Sequence, residues 1–451
     1  MLRPMAAVLV PLLLAACSRA QPGAPDAPGS AAPAPAAAGE LTAEEQAIAR
    51  AVDAEEERAL ALLARAVNIN SGTLNLDGVR QVGALFSAEL EELGFRARWV
   101  DGAAFGRAGH LVAERPGAGP KILLVGHLDT VFEPDSPFQT FERIGPDRAR
   151  GPGVIDMKGG NVVIVSALRA LAAAGALDRL HIVVVMNGDE ESAGQPLSAA
   201  RAALLEAARG ADAAIGFEDG DGDPRTAVIG RRGYMEWTVR VEGTPAHSSQ
   251  IFRDEIGYGA VFEAARVLDG FRTRLAGEAN LTFNPALALG GTQVDHDAAA
   301  ARGGAFGKAN VIAEHALVTG DLRALTPEQF ARTRKVMEEV VAASLPGTSS
   351  AISFEEGYPP LAPTDGNRRL LALYDQISRD LGAGPVTAVD PINAGAADVS
   401  FLAGAVPMIL DGVGLMGEGG HTAEETADLT TLPLQTRRAA LLLHRLSRTL
   451  D

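Results

Sequence analysis

Five short stretches carry histidine or carboxylate groups just past apolar runs. KILLVGHLDT ends with His127 and Asp129 at i and i+2, and on an extended strand that spacing puts both side chains on one face. An imidazole so placed can bind a metal through one nitrogen while a carboxylate fixes its other N–H. A strand-end histidine beside a polar neighbour gives the same pattern without a metal. GPGVIDMKGG sets Asp156 in a Gly-rich turn ahead of an apolar helical stretch, where Asp and Gly are also ordinary turn residues. HIVVVMNGDEESAG closes an apolar run with Asp189, Glu190 and Glu191. Adjacent like charges repel, so solvent or a cation must take up their charge. AAIGFEDGD adds Glu218, and MGEGGHTAEE adds His421 in a Gly-rich loop after VPMILDGVG. Each signal is weak alone. Together they fall just past the carboxyl ends of buried strands, where α/β sheets place their sites.

Such placement needs a sheet. RARWV, HLVAE, KILLVGHLDT and HIVVVMNGDEE read as strands, and NVVIVSALRALAAAG as a long apolar helix between Asn161 and Gly175. Apolar strands alternating with helices predict an α/β fold: a mixed, mostly parallel sheet with helices on both faces. Thr42 with Glu45 reads as a capping box opening a helix to about Val67. A second helix is predicted from about Val79 to Leu93, stopped by Gly94. Near Gly230 the pattern changes. Trp237, Val239 and Val241 alternate with Glu236, Thr238 and Arg240, as in a half-buried antiparallel strand. Helical segments at about 255–276 and 327–344, with strand-like LTFNPALALGG and NVIAEHALVTGDLRA, complete an inserted α+β domain. The chain ends in a helix, LQTRRAALLLHRLSRTL.

The chain has 451 residues and a net charge of −17. No basic stripe is present, which excludes a nucleic-acid partner. Cys17 is the only cysteine, so there is no intramolecular disulfide. The opening MLRPMAAVLVPLLLAACSRA has Arg3 and then an apolar run from Met5 to Ala16. That run is shorter than the ~20 apolar residues a membrane-spanning helix needs, and it fits a secretory signal. Leu14-Ala15-Ala16-Cys17 resembles a bacterial lipobox, in which the cysteine is lipidated and becomes the first mature residue; an ordinary signal peptide is the alternative. The expected location is the periplasm and cell envelope, with the membrane reached by the lipid anchor only. Ser18 in place of Asp fits outer-membrane sorting. The Pro/Ala-rich stretch that follows suits a semi-extended spacer. The expected organisation is therefore signal peptide 1–17, linker 18–40, a first catalytic segment 41–233, inserted domain 234–347 and a second catalytic segment 348–451.

The ordered set HLDT, GPGVIDMKGG, DEE, FE, GTPAHS, NVI with DLR, and a late GGH resembles the dinuclear zinc exopeptidases and deacylases of the glutamate carboxypeptidase, acetylornithine deacetylase and aminoacylase type. The resemblance covers nearly everything from about 42 to 451. It implies that His127, Asp156 and Glu218 bind one Zn2+ and that Asp156, Glu191 and His421 bind the other. Mixed N/O sites also accept Mn2+ or Co2+. By the same resemblance Glu190 is the general base, Asp129 orients His127, and a cis peptide follows Asp156. The inserted domain would be a lid and dimerisation domain, from which His247 reaches a partner subunit's site to stabilise the oxyanion. Asn310, Arg323 and Gly395 match substrate-binding positions. FEEGYPPLAPT carries Tyr358 and prolines where glutamate-specific members are expected to carry an Arg, so glutamate specificity is not implied. His110, His181, His296, His315 and His444 match no motif and read as structural or surface residues. The expected function is hydrolysis of an amide next to a free carboxylate, of the carboxypeptidase or dipeptidase type, on a small peptide. An N-acyl-amino-acid deacylase and an inactive peptide-binding lipoprotein are the alternatives.

Overall fold

Apolar runs that bury both faces build the main sheet. In Lys121–His127, Ile122 and Leu124 enter one core while Leu123 and Val125 enter another. In His181–Asn187, Ile182, Val184 and Met186 divide from Val183 and Val185 in the same way. Successive strand side chains point to opposite faces, so a fully apolar strand demands cover on both. The structure, a computed structural model, describes residues 39–298 and 300–449. The expected signal peptide, the lipid-bearing Cys17 and the linker up to residue 38 lie outside the described residues.

The main sheet has six strands, in the order Arg96–Asp101, Gly109–Arg115, His181–Asn187, Lys121–His127, Ala213–Gly216 and Ile409–Leu410. The last four run parallel and the first two join antiparallel. This is the mixed, mostly parallel sheet expected. Helix Lys158–Ala173 is buried almost throughout, as its all-round apolar sequence requires. It packs against Ala43–Ala54 and the C-terminal helix Thr431–Thr449. The capping box at Thr42 and Glu45 is present. The single helix expected from there to Val67 is two, Ala43–Ala54 and Glu56–Val67, because the chain turns at Glu55. Helix Leu76–Glu91 is followed by Gly94 at φ 83°, a left-handed conformation that glycine adopts without strain.

A second core lies over an antiparallel sheet ordered Thr282–Gly291, His315–Ala324, Gly233–Gly243 and Thr348–Glu356. Trp237, Val239 and Val241 are each at most 1% exposed and pack against helices Ala260–Leu275 and Pro327–Ala342. Strand Thr348–Glu356 pairs with Gly233–Gly243, so this sheet continues past the boundary expected at 347. Among the described residues only one of its faces is covered, and its residues alternate accordingly. The linkers into and out of this second sheet pair with each other through Arg231 and Leu361.

Candidate metal centre

Asp156 is the point on which the expected residues converge. Its Oδ1 lies 2.9 Å from His127 Nε2, and its Oδ2 lies 2.9 Å from His421 Nε2. Glu218 Oε1 is 3.7 Å from His127 Nε2, and Glu191 Oε2 is 3.1 Å from His421 Nε2. Ligand atoms of His127, Asp156 and Glu191 all lie within 4.8 Å of one another. The five residues expected to bind metal thus come together as two groups sharing one carboxylate.

Each is fixed from the main sheet or its loops. His127 ends the central strand. Its Nδ1 donates to the backbone carbonyl of Asp129 at 3.0 Å, with the Asp129 carboxylate 3.4 Å away. Asp129, expected to orient His127, thus faces that nitrogen with both its carbonyl and its carboxylate. That carboxylate, fully buried, accepts from Thr73 Oγ1 at 2.7 Å and from the backbone N–H groups of Glu190 and Glu191 at 3.0 and 3.1 Å. Two successive N–H groups facing one anion form a nest. The strand stops at Asn187, so the two glutamates occupy a turn, not an extended strand end. Asp189 accepts from Gly194 N and Arg201 Nη1, at 2.8 and 2.6 Å, and takes no part in the cluster.

The loop bearing Asp156 is cradled by Glu425, whose carboxylate accepts from the N–H groups of Gly153, Ile155 and Asp156. The Asp156–Met157 peptide is cis. Asn161 donates to the His127 carbonyl at 2.6 Å. His421 has φ 63°, a left-handed conformation uncommon for a non-glycine residue and characteristic of functional sites.

The electrostatics call for a cation. Burial, then Asp156, pushes Glu191 up to about 7. Burial pushes Glu218 well above the usual carboxylate range, with His127 opposing and Asp156 adding to the shift. Burial, then Asp398, does the same to Glu190. Hydrogen bonds to Asp156 and Glu191 raise His421 to about 11. Glu191 Oε1 is buried with no hydrogen-bond partner among the described residues, which is costly unless something else satisfies it. Two imidazoles and three carboxylates with an orphaned oxygen suit a divalent cation of the zinc, manganese or cobalt type.

The remaining expected residues lie outward. Glu190 lines a cavity of about 380 Å³ that runs from the DEE turn to Tyr234, Glu236 and Glu355 of the second sheet. Arg323 lines a neighbouring cavity of about 610 Å³, also bordered by Tyr234 and Glu236. Its Nε donates to Asp321 at 3.0 Å. Asp321, Glu236 and Glu355 are direct cross-strand neighbours, so this wall is acidic. His296, read as structural or surface, also lines that neighbouring cavity. His247 is exposed, with Nδ1 2.9 Å from Ser249 Oγ. It stands beside Asn310, whose carbonyl accepts from Ser248 N. No described contact joins either residue to the cluster. The carbonyl of Gly395 accepts from Arg231 Nη1 at 2.8 Å.

The supports at Glu425, Asn161, Thr73, Arg201 and Tyr358 were not foreseen from sequence. Only Glu425 carried a signal, standing four residues after His421 in the same MGEGGHTAEE stretch. His110 is structural as expected. Gly188 N–H donates to its Nδ1, so its Nε2–H donates to the Ala200 carbonyl.

Similarity to known proteins agrees with this arrangement. The chain is 27% identical over 398 residues to carboxypeptidase G2 of Pseudomonas sp. (strain RS-16), covering 86% of this chain and 89% of that protein. Its fold is similar to the aminopeptidase PepT of Bacillus cereus, with a TM-score of 0.68, 18% identity and coverage of 87% and 99% of the two chains. It is also similar to a dinuclear metal binding peptidase from the M20 family of Bacillus subtilis, with a TM-score of 0.62, 15% identity and coverage of 88% and 99%. Residues 123–445, which span every member of the cluster around Asp156, match the profile of peptidase family M20/M25/M40, so the chain belongs to that family and is a metallopeptidase-class hydrolase.

Proposed function

We propose that the protein hydrolyses an amide bond next to a free carboxylate in small peptides, as a two-metal carboxypeptidase or dipeptidase. The observation that carries this reading is the sharing of Asp156 between His127 with Glu218 and His421 with Glu191. His127, Asp156 and Glu218 would hold one divalent cation, and Asp156, Glu191 and His421 the other. When bound, such a pair supplies Lewis acidity at the scissile carbonyl and lowers the pKa of water. Glu190, facing the cavity, takes the proton from the attacking water and returns it to the leaving amine. Arg323 binds the substrate carboxylate through its fixed fork of donors.

The deciding experiment is a release assay over dipeptides and N-acyl amino acids, with chelator and with Zn2+, Mn2+ or Co2+ restored. Metal-dependent cleavage of dipeptides is expected; cleavage confined to N-acyl amino acids would make the enzyme a deacylase. Because Glu236, Glu355 and Asp321 line the wall, peptides with acidic side chains are expected to be cleaved more slowly than neutral or basic ones. Preference for acidic peptides would count against Glu236 and Glu355 facing the substrate.

His247 acts, in this reading, in the site of a second copy. Its support is the exposed apolar patch that follows it in the chain: Phe252, Val261 and Phe262 are 56%, 50% and 52% exposed, and the Phe252 ring contacts those of both Tyr258 and Phe262. Contiguous exposed apolar groups of this kind mark interaction surfaces. The double variant Phe252→Ser, Phe262→Ser is expected to sediment as a monomer with greatly reduced activity. A fully active monomer would refute the shared site. The chain is further proposed to be lipid-anchored at Cys17 in the cell envelope, on the strength of the Leu-Ala-Ala-Cys motif. Cys17→Ser should then release the protein from the membrane fraction, and unchanged membrane association would exclude this anchor.

A further inference from the structure

Backbone groups of the DEE turn are held from several sides. The Asp129 carboxylate receives Glu190 N–H and Glu191 N–H, and Arg201 Nη2 donates to the Asp189 carbonyl at 3.2 Å. The carbonyl of Glu190 is held by a residue far away in sequence: Tyr358 OH lies 2.9 Å from it. The direction of that hydrogen bond is fixed. Arg201 Nη2 is 2.7 Å from the same hydroxyl, and a guanidinium only donates. The phenol must therefore accept from Arg201 and spend its single proton on Glu190. Arg201 is itself 1% exposed and immobilised by Asp189 and Asp398, at 2.6 and 2.8 Å. The Tyr358 ring stands edge-on to Phe401, with centroids 5.0 Å apart, so the hydroxyl has little freedom to leave.

Tyr358 does not belong to the main sheet. It lies two residues past the edge strand Thr348–Glu356, on the linker leading back to the catalytic layer. Its own carbonyl accepts from Tyr234 N at 2.8 Å, and Tyr234 is near the start of the inserted sheet. A single residue on the return linker thus ties the first residues of strand Gly233–Gly243 to the carbonyl of Glu190.

We propose that Tyr358 is a positioning residue for Glu190, through which the seating of the lid sets the aim of that carboxylate. This rests on the reading of Glu190 as general base. Tyr358→Phe keeps the ring and removes only the hydroxyl, leaving the Glu190 carbonyl without its donor. The expected result is a fall of about tenfold in kcat, the size of one lost hydrogen bond to a buried carbonyl, with KM within about twofold of wild type and metal content unchanged.

The test is a double-mutant cycle with Glu190→Gln, reading kcat, KM, metal content and melting temperature. If Tyr358 acts through Glu190, the substitution has no further effect on kcat in the Glu190→Gln background. Equal fractional losses in both backgrounds, or a lower melting temperature with unchanged kcat per bound metal, would overturn the proposal and leave Tyr358 a structural residue. Full activity of Glu190→Gln alone would instead remove the general-base reading, a separate outcome. If Tyr358→Phe does not accumulate, Phe401→Leu loosens the same ring while keeping the hydroxyl. It is expected to lower kcat with metal retained, and an unchanged kcat there would also overturn the proposal.

Discussion

Glu190→Gln is expected to lower kcat by about 10²- to 10⁴-fold, the range for loss of a general acid–base group, while the protein keeps its full metal content. The geometry makes this a clean comparison. The backbone of residue 190 is held by Asp129 on its N–H and by Tyr358 on its carbonyl. Neither contact uses the side chain, so an amide in place of the carboxylate leaves the turn in place. Glu191→Ala should behave in the opposite way. Glu191 is 5% exposed on its side chain and sits 3.1 Å from His421 Nε2, so its loss should appear first as weaker metal retention. Metal analysis of the two purified variants beside their kcat values separates the roles. A Glu190→Gln enzyme with more than a tenth of wild-type turnover, or equal metal loss in both variants, would sink the assignment.

Asp156→Ala is expected to remove both ions and all measurable turnover while circular dichroism stays native. The two oxygens of Asp156 address both histidines. Without it, His127 and His421 lose their common partner. Glu191 and Glu218, which burial pushes upward, remain without the carboxylate that joins their two histidines. Wild type treated with chelator should melt at a lower temperature, and the melting temperature should return with added Zn2+. Ligand at about a thousand times its Kd stabilises a protein by about 4 kcal/mol. The Asp156→Ala variant should show no such response to Zn2+. Wild-type metal stoichiometry in that variant, by elemental analysis, would refute the shared-carboxylate arrangement.

The elements legible in the sequence were those written in period. Ile122 to Val125 and Ile182 to Met186 announced a sheet covered on both faces, and Trp237, Val239 and Val241 announced one covered on a single face. His127, Glu191 and Glu218 were legible because each follows such a run, whereas Asp156 and His421 stand in Gly-rich loops and were legible only in the ordered set of motifs. What could not be read was the scaffold that aims them. Tyr358 reaches Glu190 across 168 positions, and Glu425 reaches Ile155 across 270. A tyrosine after Gly357 has no local pattern that predicts such a partner, and the closeness of Glu425 to His421 does not name the loop at Ile155 as its partner. The turn at Glu190 and Glu191 was likewise set from outside. Taken alone, a strand end predicts neighbours pointing apart, but both N–H groups bend toward one distant carboxylate. Similarly, the turn at Glu55 splits a helix whose apolar spacing continues on both sides.

The pairing of Arg231 with Leu361 has an architectural meaning. The inserted sheet leaves and re-enters the catalytic layer at neighbouring points, so the two cut ends of the layer's chain would lie side by side if everything between were removed. Insertions whose ends lie side by side can be gained, lost or exchanged without redrawing the parent topology. The histidine–carboxylate cluster at Asp156 is contributed wholly by the parent layer, whereas Glu236, Glu355 and Arg323 belong to the insert. New selectivity could therefore arise by grafting a foreign insert at this junction. A tyrosine on the return linker is the element such a graft would have to preserve.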